Sequence, residues 1–200
     1  CVVEASGMLR TIAVSLTKVA NDIRWLGSGP RCGLGELVLP ATQPGSSIMP
    51  GKVNPVICES VMMVSCRVIG NDATIATAGL GGVGSLLELN VAMPVIADAL
   101  IDSVELLANA CDMFRTKCID GLELHADATR TVERSLMMVT SLAPVIGYDR
   151  AAQAAKDAYK SGETIREHVL RHKLVEPKHL DRLLNPADMT RPGGKGPGGG

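Results

Sequence analysis

Aromatic residues are nearly absent: the 200-residue chain has one Trp, one Phe and two Tyr (Trp25, Phe114, Tyr148 and Tyr159). Apolar residues still make up 46% of it, so a core must be built from Leu, Ile, Val, Ala and Met. That set suits long helices packed side by side and argues against β-sheets, which draw on aromatic and β-branched residues. A dominant charge sign is also missing. The formal net charge is −1, with both signs scattered, which gives no electrostatic case for nucleic acid or an anionic membrane. No apolar run reaches the roughly 20 residues of a membrane span without a charge or a Gly, and the first residues lack the basic and apolar regions of a secretion signal. The six Cys form no CxxC pair. They read as reduced, mostly buried thiols in a cytosol-like compartment (cytoplasm, or mitochondrial matrix in a eukaryote) rather than a disulfide framework. An initiator Met is missing too, and Cys1-Val2-Val3-Glu4 already lies in a helical pattern, so the chain reads as a piece of a longer protein.

Apolar residues at Leu9, Ile12, Ala13, Leu16, Val19, Ala20 and Ile23 predict a helix over about 5–25 with one buried face. It closes at Gly27-Ser28-Gly29-Pro30. Residues 28–54 have no helical period and hold four Pro and five Gly. A loop this long in a helical protein is functional or disordered, and Leu34, Leu37, Val38, Leu39, Ile48 and Met49 argue against disorder. Pro55 suits the first position of a helix running over 56–78. This segment is apolar nearly all round except for Glu59, Arg67 and Asp72, as expected of the middle helix of a bundle. A Gly-rich break at 80–85 precedes a third helix over about 90–118, with Pro94 in its first turn.

Beyond Ile119-Asp120-Gly121 the segments shorten, to 126–142, 149–161, 163–172 and 176–184, with helix starts at Thr164 and Glu176-Pro177. The expected organisation is all-α. A long-helix bundle over 1–120 carries the loop 43–54, a small α-helical domain follows over 121–189, and a disordered Gly/Pro tail closes the chain at 190–200. Met62, Met63, Met137 and Met138 are expected as core filler, and Arg31, Asn71 and Asp72 as polar ties within the bundle.

The chemistry concentrates in Gly45-Ser46-Ser47-Ile48-Met49-Pro50-Gly51-Lys52-Val53-Asn54-Pro55. It is not a phosphate loop, because five residues separate Gly45 from Gly51 and Val53 stands where the metal-binding hydroxyl belongs. Nor is it a serine–lysine hydrolase motif, since Ser46 and Ser47 lie six and five residues before Lys52 with Pro50 between. Two hydroxyls, a fixed cation and an amide remain, on a strip pinned by Pro44 and Pro50. They suit a small dicarboxylate: Lys52 pairs with a carboxylate, Asn54 both donates and accepts, and N–H groups beside Gly45 and Gly51 approach an anion closely. Taken singly, each residue has a plainer role. Gly45, Ser46 and Ser47 build a tight turn, Lys52 is a solvated cation, and Glu59 favours a helix N-terminus.

The same segment resembles the signature G-S-x-x-M-x-x-K-x-N of the fumarase/aspartase superfamily, with every fixed position filled: Gly45, Ser46, Met49, Lys52 and Asn54. Residues 28–36, 69–72 (Ile-Gly-Asn-Asp), 88–91 (Glu-Leu-Asn-Val) and 146–149 (Ile-Gly-Tyr-Asp) extend the likeness over about 2–189. Within the superfamily, Pro30-Arg31-Cys32-Gly33, Gly51 before Lys52, and Gly147-Tyr148-Asp149 look like class II fumarase, with aspartase the nearest alternative.

The resemblance implies a lyase of the tricarboxylic acid cycle that hydrates fumarate reversibly to (S)-malate by anti addition, with no metal and no organic cofactor. It implies Ser46 as the base on the C3 proton of malate, and Ser47, Lys52, Val53 and Asn54 as contacts to the substrate carboxylates. Glu59 is implied as partner of a histidine carried by another subunit, in a homotetramer with shared active sites. A serine base needs a site that stabilises its alkoxide, which Lys52 and loop N–H groups supply. That acid histidine is not in this chain: His125, His168, His172 and His179 all fall in the C-terminal part. His168 and His172, at i and i+4, read as solvated surface rather than metal ligands. By itself the 1–200 chain is expected to be an inactive, aggregation-prone assembly piece.

Overall fold

A computed structural model describes residues 1–29 and 31–190, with the side chains of residues 129 and 130 outside that description. Pro30 of the Pro30–Gly33 motif and residues 191–200 of the expected tail thus lie outside the described residues. The chain divides into two compact units between His125 and Ala126.

In the first unit three long helices dominate: α1 (Val2–Leu26), α2 (Val56–Ala78) and α3 (Met93–Lys117). Their buried positions follow a near-3.5-residue rhythm. On α2 it runs Cys58, Val61, Ser65, Val68, Asp72 and Ile75; on α3 it runs Ala99, Ser103, Leu107, Ala110 and Phe114. On α1 Ser6, Ala13 and Ala20 fall seven apart. Such a repeat keeps one seam facing a neighbour, and the small residues let the backbones approach. Val61, Val68 and Ile75 are at most 1% exposed, and burying each is worth about 1.5–3 kcal/mol.

α2 lies between α1 and α3, each of which packs along it. The expected middle helix is therefore found, but it is covered on two sides only. Met63 and Ile69 stay exposed, as do Ile12 and Val19 of the stripe predicted to be buried on α1. The helix bounds fall close to expectation. α2 begins at Val56, one residue after Pro55, and Pro94 sits in the first turn of α3.

Buried polar groups cross-tie the layer. Asp72 accepts from Ser6 Oγ and Arg10 Nη1, both at 2.7 Å, and Asn71 Nδ2 donates to Asp102 Oδ2 (2.8 Å) and Ser103 Oγ (3.0 Å). Asn71 and Asp72 are the ties expected. Arg31 is exposed.

Two short antiparallel pairs complete the unit. β1 (Leu37–Val38) pairs with β4 (Glu123–Leu124), after a 3-10 turn at Ile119–Gly121. β2 (Ser85–Leu86) pairs with β3 (Leu89–Asn90) in the Gly-rich break. The β1–β4 pairing carries the first unit to His125, where the sequence placed the boundary at residue 121.

The second unit has its own core of Met138, Leu142, Ala158, Ile165, Val169, Val175, Leu180 and Leu184. Its helices are α4 (Ala128–Glu133), α5 (Ala143–Ile146), α6 (Tyr148–Ser161), α7 (Ile165–Arg171), α8 (Pro177–Leu183) and α9 (Pro186–Met189). The segment expected over 126–142 breaks in two, because Ser135 accepts the Met137 N–H and starts a 3-10 stretch at Leu136–Leu142. Thr164 opens α7 with a full capping box to Glu167, a pattern that satisfies two orphan donors reciprocally.

Four expectations are corrected here. His168 is buried, not solvated: it follows Ile165 by three residues on the core face of α7 and is only 4% exposed. Its ring lies 4.4 Å from that of exposed His172. Met63 and Met137 are exposed, whereas Met138 is core and Met62 half-buried. Only Cys58 and Cys118 are buried thiols; Cys1, Cys32, Cys66 and Cys111 are exposed. His125 belongs with the first unit, not the C-terminal one.

Candidate active site

The loop between α1 and α2 is held from both ends. At its start Ser28 Oγ donates to the Trp25 carbonyl (2.6 Å) and accepts from the Leu34 N–H (3.0 Å), while Gly35 N–H reaches the Ser28 carbonyl (2.8 Å). A Cβ on Gly33 would lie 2.4 Å from that carbonyl, so the wrap is open only to glycine. The β1–β4 pair then fixes residues 37–38, and the His125 N–H donates to the Glu36 carbonyl at 2.9 Å.

The distal part folds on itself. Gly45 N–H donates to the Lys52 carbonyl (2.7 Å), and Asn54 Nδ2 donates to the Gly45 carbonyl (2.8 Å). A Cβ on Gly45 would sit 2.6 Å from Lys52 O and 2.9 Å from Asn54 N. The strands of the loop close only because Gly45 has none.

Ser46 sits inside this closure, half-buried. Its Oγ accepts the N–H groups of Ile48 and Met49, both at 3.1 Å. Two donors aimed at one oxygen favour its anionic form. Lys52 makes no hydrogen bond to Ser46, so the contacts to its Oγ come from loop N–H groups and not from the cation.

Lys52, Val53 and Asn54 instead line a cleft of about 780 Å³ in the first unit, together with Arg24, Trp25 and His125. Ser46, Ser47 and Glu59 do not line it. Ser47 is exposed, and Glu59 is half-buried one turn into α2, its N–H on the Pro55 carbonyl at 3.0 Å. The structure thus gathers the proposed carboxylate contacts Lys52, Val53 and Asn54, and keeps the proposed base on the neighbouring turn.

Arg24 and His125 were missed by sequence reasoning. Arg24 carries a signal, a cation in the last turn of α1 beside the loop. His125 carries none, because it reaches the cleft through β4, more than eighty residues from β1 in the chain. Among the described residues no group of three or more His, Cys, Asp or Glu could hold a metal ion, and no helix is long and apolar enough to cross a membrane.

The class of protein comes from the comparisons: residues 1–70 match the family described as Lyase. Residues 138–191 match the family described as Fumarase C C-terminus. The chain is 51% identical over 192 residues to the class II fumarate hydratase of Pseudomonas putida, spanning 96% of this chain and 41% of that protein. It is 51% identical over 191 residues to the mitochondrial fumarate hydratase 1 of Arabidopsis thaliana, spanning 95% and 38%. The crystal structure of class II fumarase from Schistosoma mansoni superposes with a TM-score of 0.85 at 41% identity, covering 96% of this chain and 40% of that one. The chain belongs to the class II fumarase family, and it spans about two fifths of the length of these relatives.

Proposed function

We propose that the whole protein to which this chain belongs hydrates fumarate reversibly to (S)-malate. The observation that carries the reading is the Ser46 Oγ held by two converging N–H groups within a glycine-closed turn. Ser46 removes the C3 proton of malate, and the Ile48 and Met49 N–H groups stabilise the alkoxide that serves as base. Lys52 and Asn54 hold substrate carboxylates, with Ser47 and Val53 completing the contact. Arg24 adds positive charge to the same cleft, which concentrates a dianionic substrate.

Glu59 orients and charges a histidine supplied by another subunit, which protonates the departing hydroxyl. The apolar side chains left open on α1, α2 and α3, among them Ile12, Val19, Met63, Ile69 and Ile101, support assembly through these helices. The tetramer and a lack of activity in residues 1–200 alone are part of the same reading.

The test uses the full-length protein. Absorbance loss on fumarate consumption is followed with and without ammonium, in wild type and in Ser46→Ala. Turnover without ammonium, lost in Ser46→Ala with the oligomer intact, is the expected result. Consumption only with ammonium would make the protein an ammonia lyase, and near-normal Ser46→Ala activity would remove Ser46 as base.

A further inference from the structure

Among the described residues that line the cleft there is no carboxylate. Its basic lining is Arg24, Lys52 and His125, although the whole chain carries a formal net charge of −1. Each of the three comes from a different element. Arg24 lies in the last turn of α1, Lys52 on the returning strip of the loop, and His125 directly after β4. A concave wall of one sign, with no counter-charge, draws in an anion.

A dicarboxylate needs donors at both of its ends. The loop meets one end. Lys52 brings an ammonium group, while Asn54 keeps a single amide hydrogen for a ligand, because its Nδ2 already donates to the Gly45 carbonyl at 2.8 Å. For the other end Arg24 is partly committed: its Nη2 donates to Asn21 Oδ1 at 2.9 Å, which ties one arm of the guanidinium back to α1. His125 stands on a firmer frame. Leu124 pairs with Leu37 across β1 and β4, and the His125 N–H donates to the Glu36 carbonyl at 2.9 Å. With the backbone pinned, an imidazole has two rotatable bonds to fix, fewer than a lysine stem, so less entropy is lost when it binds.

We propose that His125 is a substrate-binding residue whose ring N–H donates to the carboxylate remote from Lys52. This role rests on the hydration reading above and adds a contact from outside the signature loop. The ring keeps at least one N–H whether neutral or charged, and a hydrogen bond to an ionised acceptor is of the stronger kind. His125 holds and orients the substrate; it carries no proton in the reaction.

The experiment uses the full-length protein, His125→Ala and His125→Asn, with two unreactive ligands followed by ligand-detected NMR: succinate, which has two carboxylates, and butyrate, which has one. His125→Ala should weaken succinate binding about 10–100-fold, the range for a bond to a charged group, and leave butyrate nearly unchanged. The KM for fumarate should rise by a similar factor with kcat little altered. His125→Asn keeps an N–H donor and should recover part of the loss, which a merely structural role would not produce. Unchanged succinate binding in His125→Ala, or equal losses for both ligands, would overturn the contact. A fall in kcat at constant KM would overturn it too, since the imidazole would then be moving a proton. Fumarate consumption only with ammonium would strike the hydration reading, while the succinate measurement still decides His125. Should His125→Ala fail to fold, crystals of wild type with succinate decide it. A carboxylate oxygen within hydrogen-bond distance of the His125 ring supports the contact, and succinate bound without it refutes it.

Discussion

Asn54 and Gly45 close the loop on each other: the Asn54 amide donates to the Gly45 carbonyl at 2.8 Å while the Gly45 N–H donates to the Lys52 carbonyl at 2.7 Å. One glycine thereby links the turn that carries Ser46 to the strip that carries Lys52. Gly45→Ala forces a Cβ to within 2.6 Å of the Lys52 oxygen and must open this closure. Losing one such hydrogen bond costs about 1 kcal/mol and a misplaced reacting group more, so kcat/KM of the full-length protein should fall by at least about tenfold. The loop end is largely exposed, so Tm should change little. Steady-state kinetics with a thermal melt checks both, and unchanged kcat/KM would show that the closure is dispensable.

Glu59 is the second prediction. Glu59→Gln keeps the size of the side chain and removes its charge, so an imidazole oriented and charged by it loses its partner. Turnover should fall about 10–100-fold, with the pH profile of kcat displaced and the melting temperature held. A Gln variant with the wild-type pH profile would separate Glu59 from the acid step.

Asp72 tests the bundle rather than the site. Its carboxylate is buried, with side-chain exposure of 8% against 54% for Arg10. Arg10→Met leaves that charge with the Ser6 hydroxyl as its remaining side-chain donor, at a cost of about 1–3 kcal/mol. The figure sits toward the lower end because Arg10 itself is half in solvent. Asp72→Asn keeps an acceptor for Ser6 and leaves no charge out of water. In denaturant unfolding Arg10→Met should therefore be the more damaging of the two; the reverse order would mean that the carboxylate left without Arg10 costs little.

Alkaline stability should depend on the buried thiol. Burial, reinforced by the neighbouring Cys118, pushes the Cys58 thiol from 9.0 up to about 12. The folded state thus holds a proton that the unfolded state releases first. Its contribution is complete below pH 9 and is lost as pH rises from about 9 toward 12. Melting temperatures from pH 8 to 11 should fall less steeply in Cys58→Ala than in wild type. Parallel slopes would mean that other groups set the alkaline limit.

Much of the fold was legible because helices are written locally. The helix over 56–78 behind Pro55, Pro94 in the first turn of α3 and the helix start at Thr164 each concern residues a few positions apart, and each recurs in the structure. Ser46, Lys52 and Asn54 were legible as a set for the same reason: their spacing lies within one loop. What could not be read is which apolar faces would be covered. Ile12, Val19 and Met63 satisfy a buried-helix pattern, yet among the described residues no element covers them. His168 was misjudged because its sequence neighbours Arg166, Glu167 and Arg171 are charged, although a helix turns its faces by 100° per residue and brings 165, 168 and 169 to the core.

The sequence by itself determined the all-α class, the places of the long helices and the loop that carries the family signature, because periodicity and motif spacing are short-range properties of the chain. Only the tertiary structure decided that β1 meets β4 and brings His125 to the cleft beside Lys52, that Gly45 closes against Lys52 and Asn54, and that Cys58 and Cys118 face each other across sixty residues. Those are contacts between distant segments, selected by packing and by the need to pair backbone groups, and no local pattern encodes them.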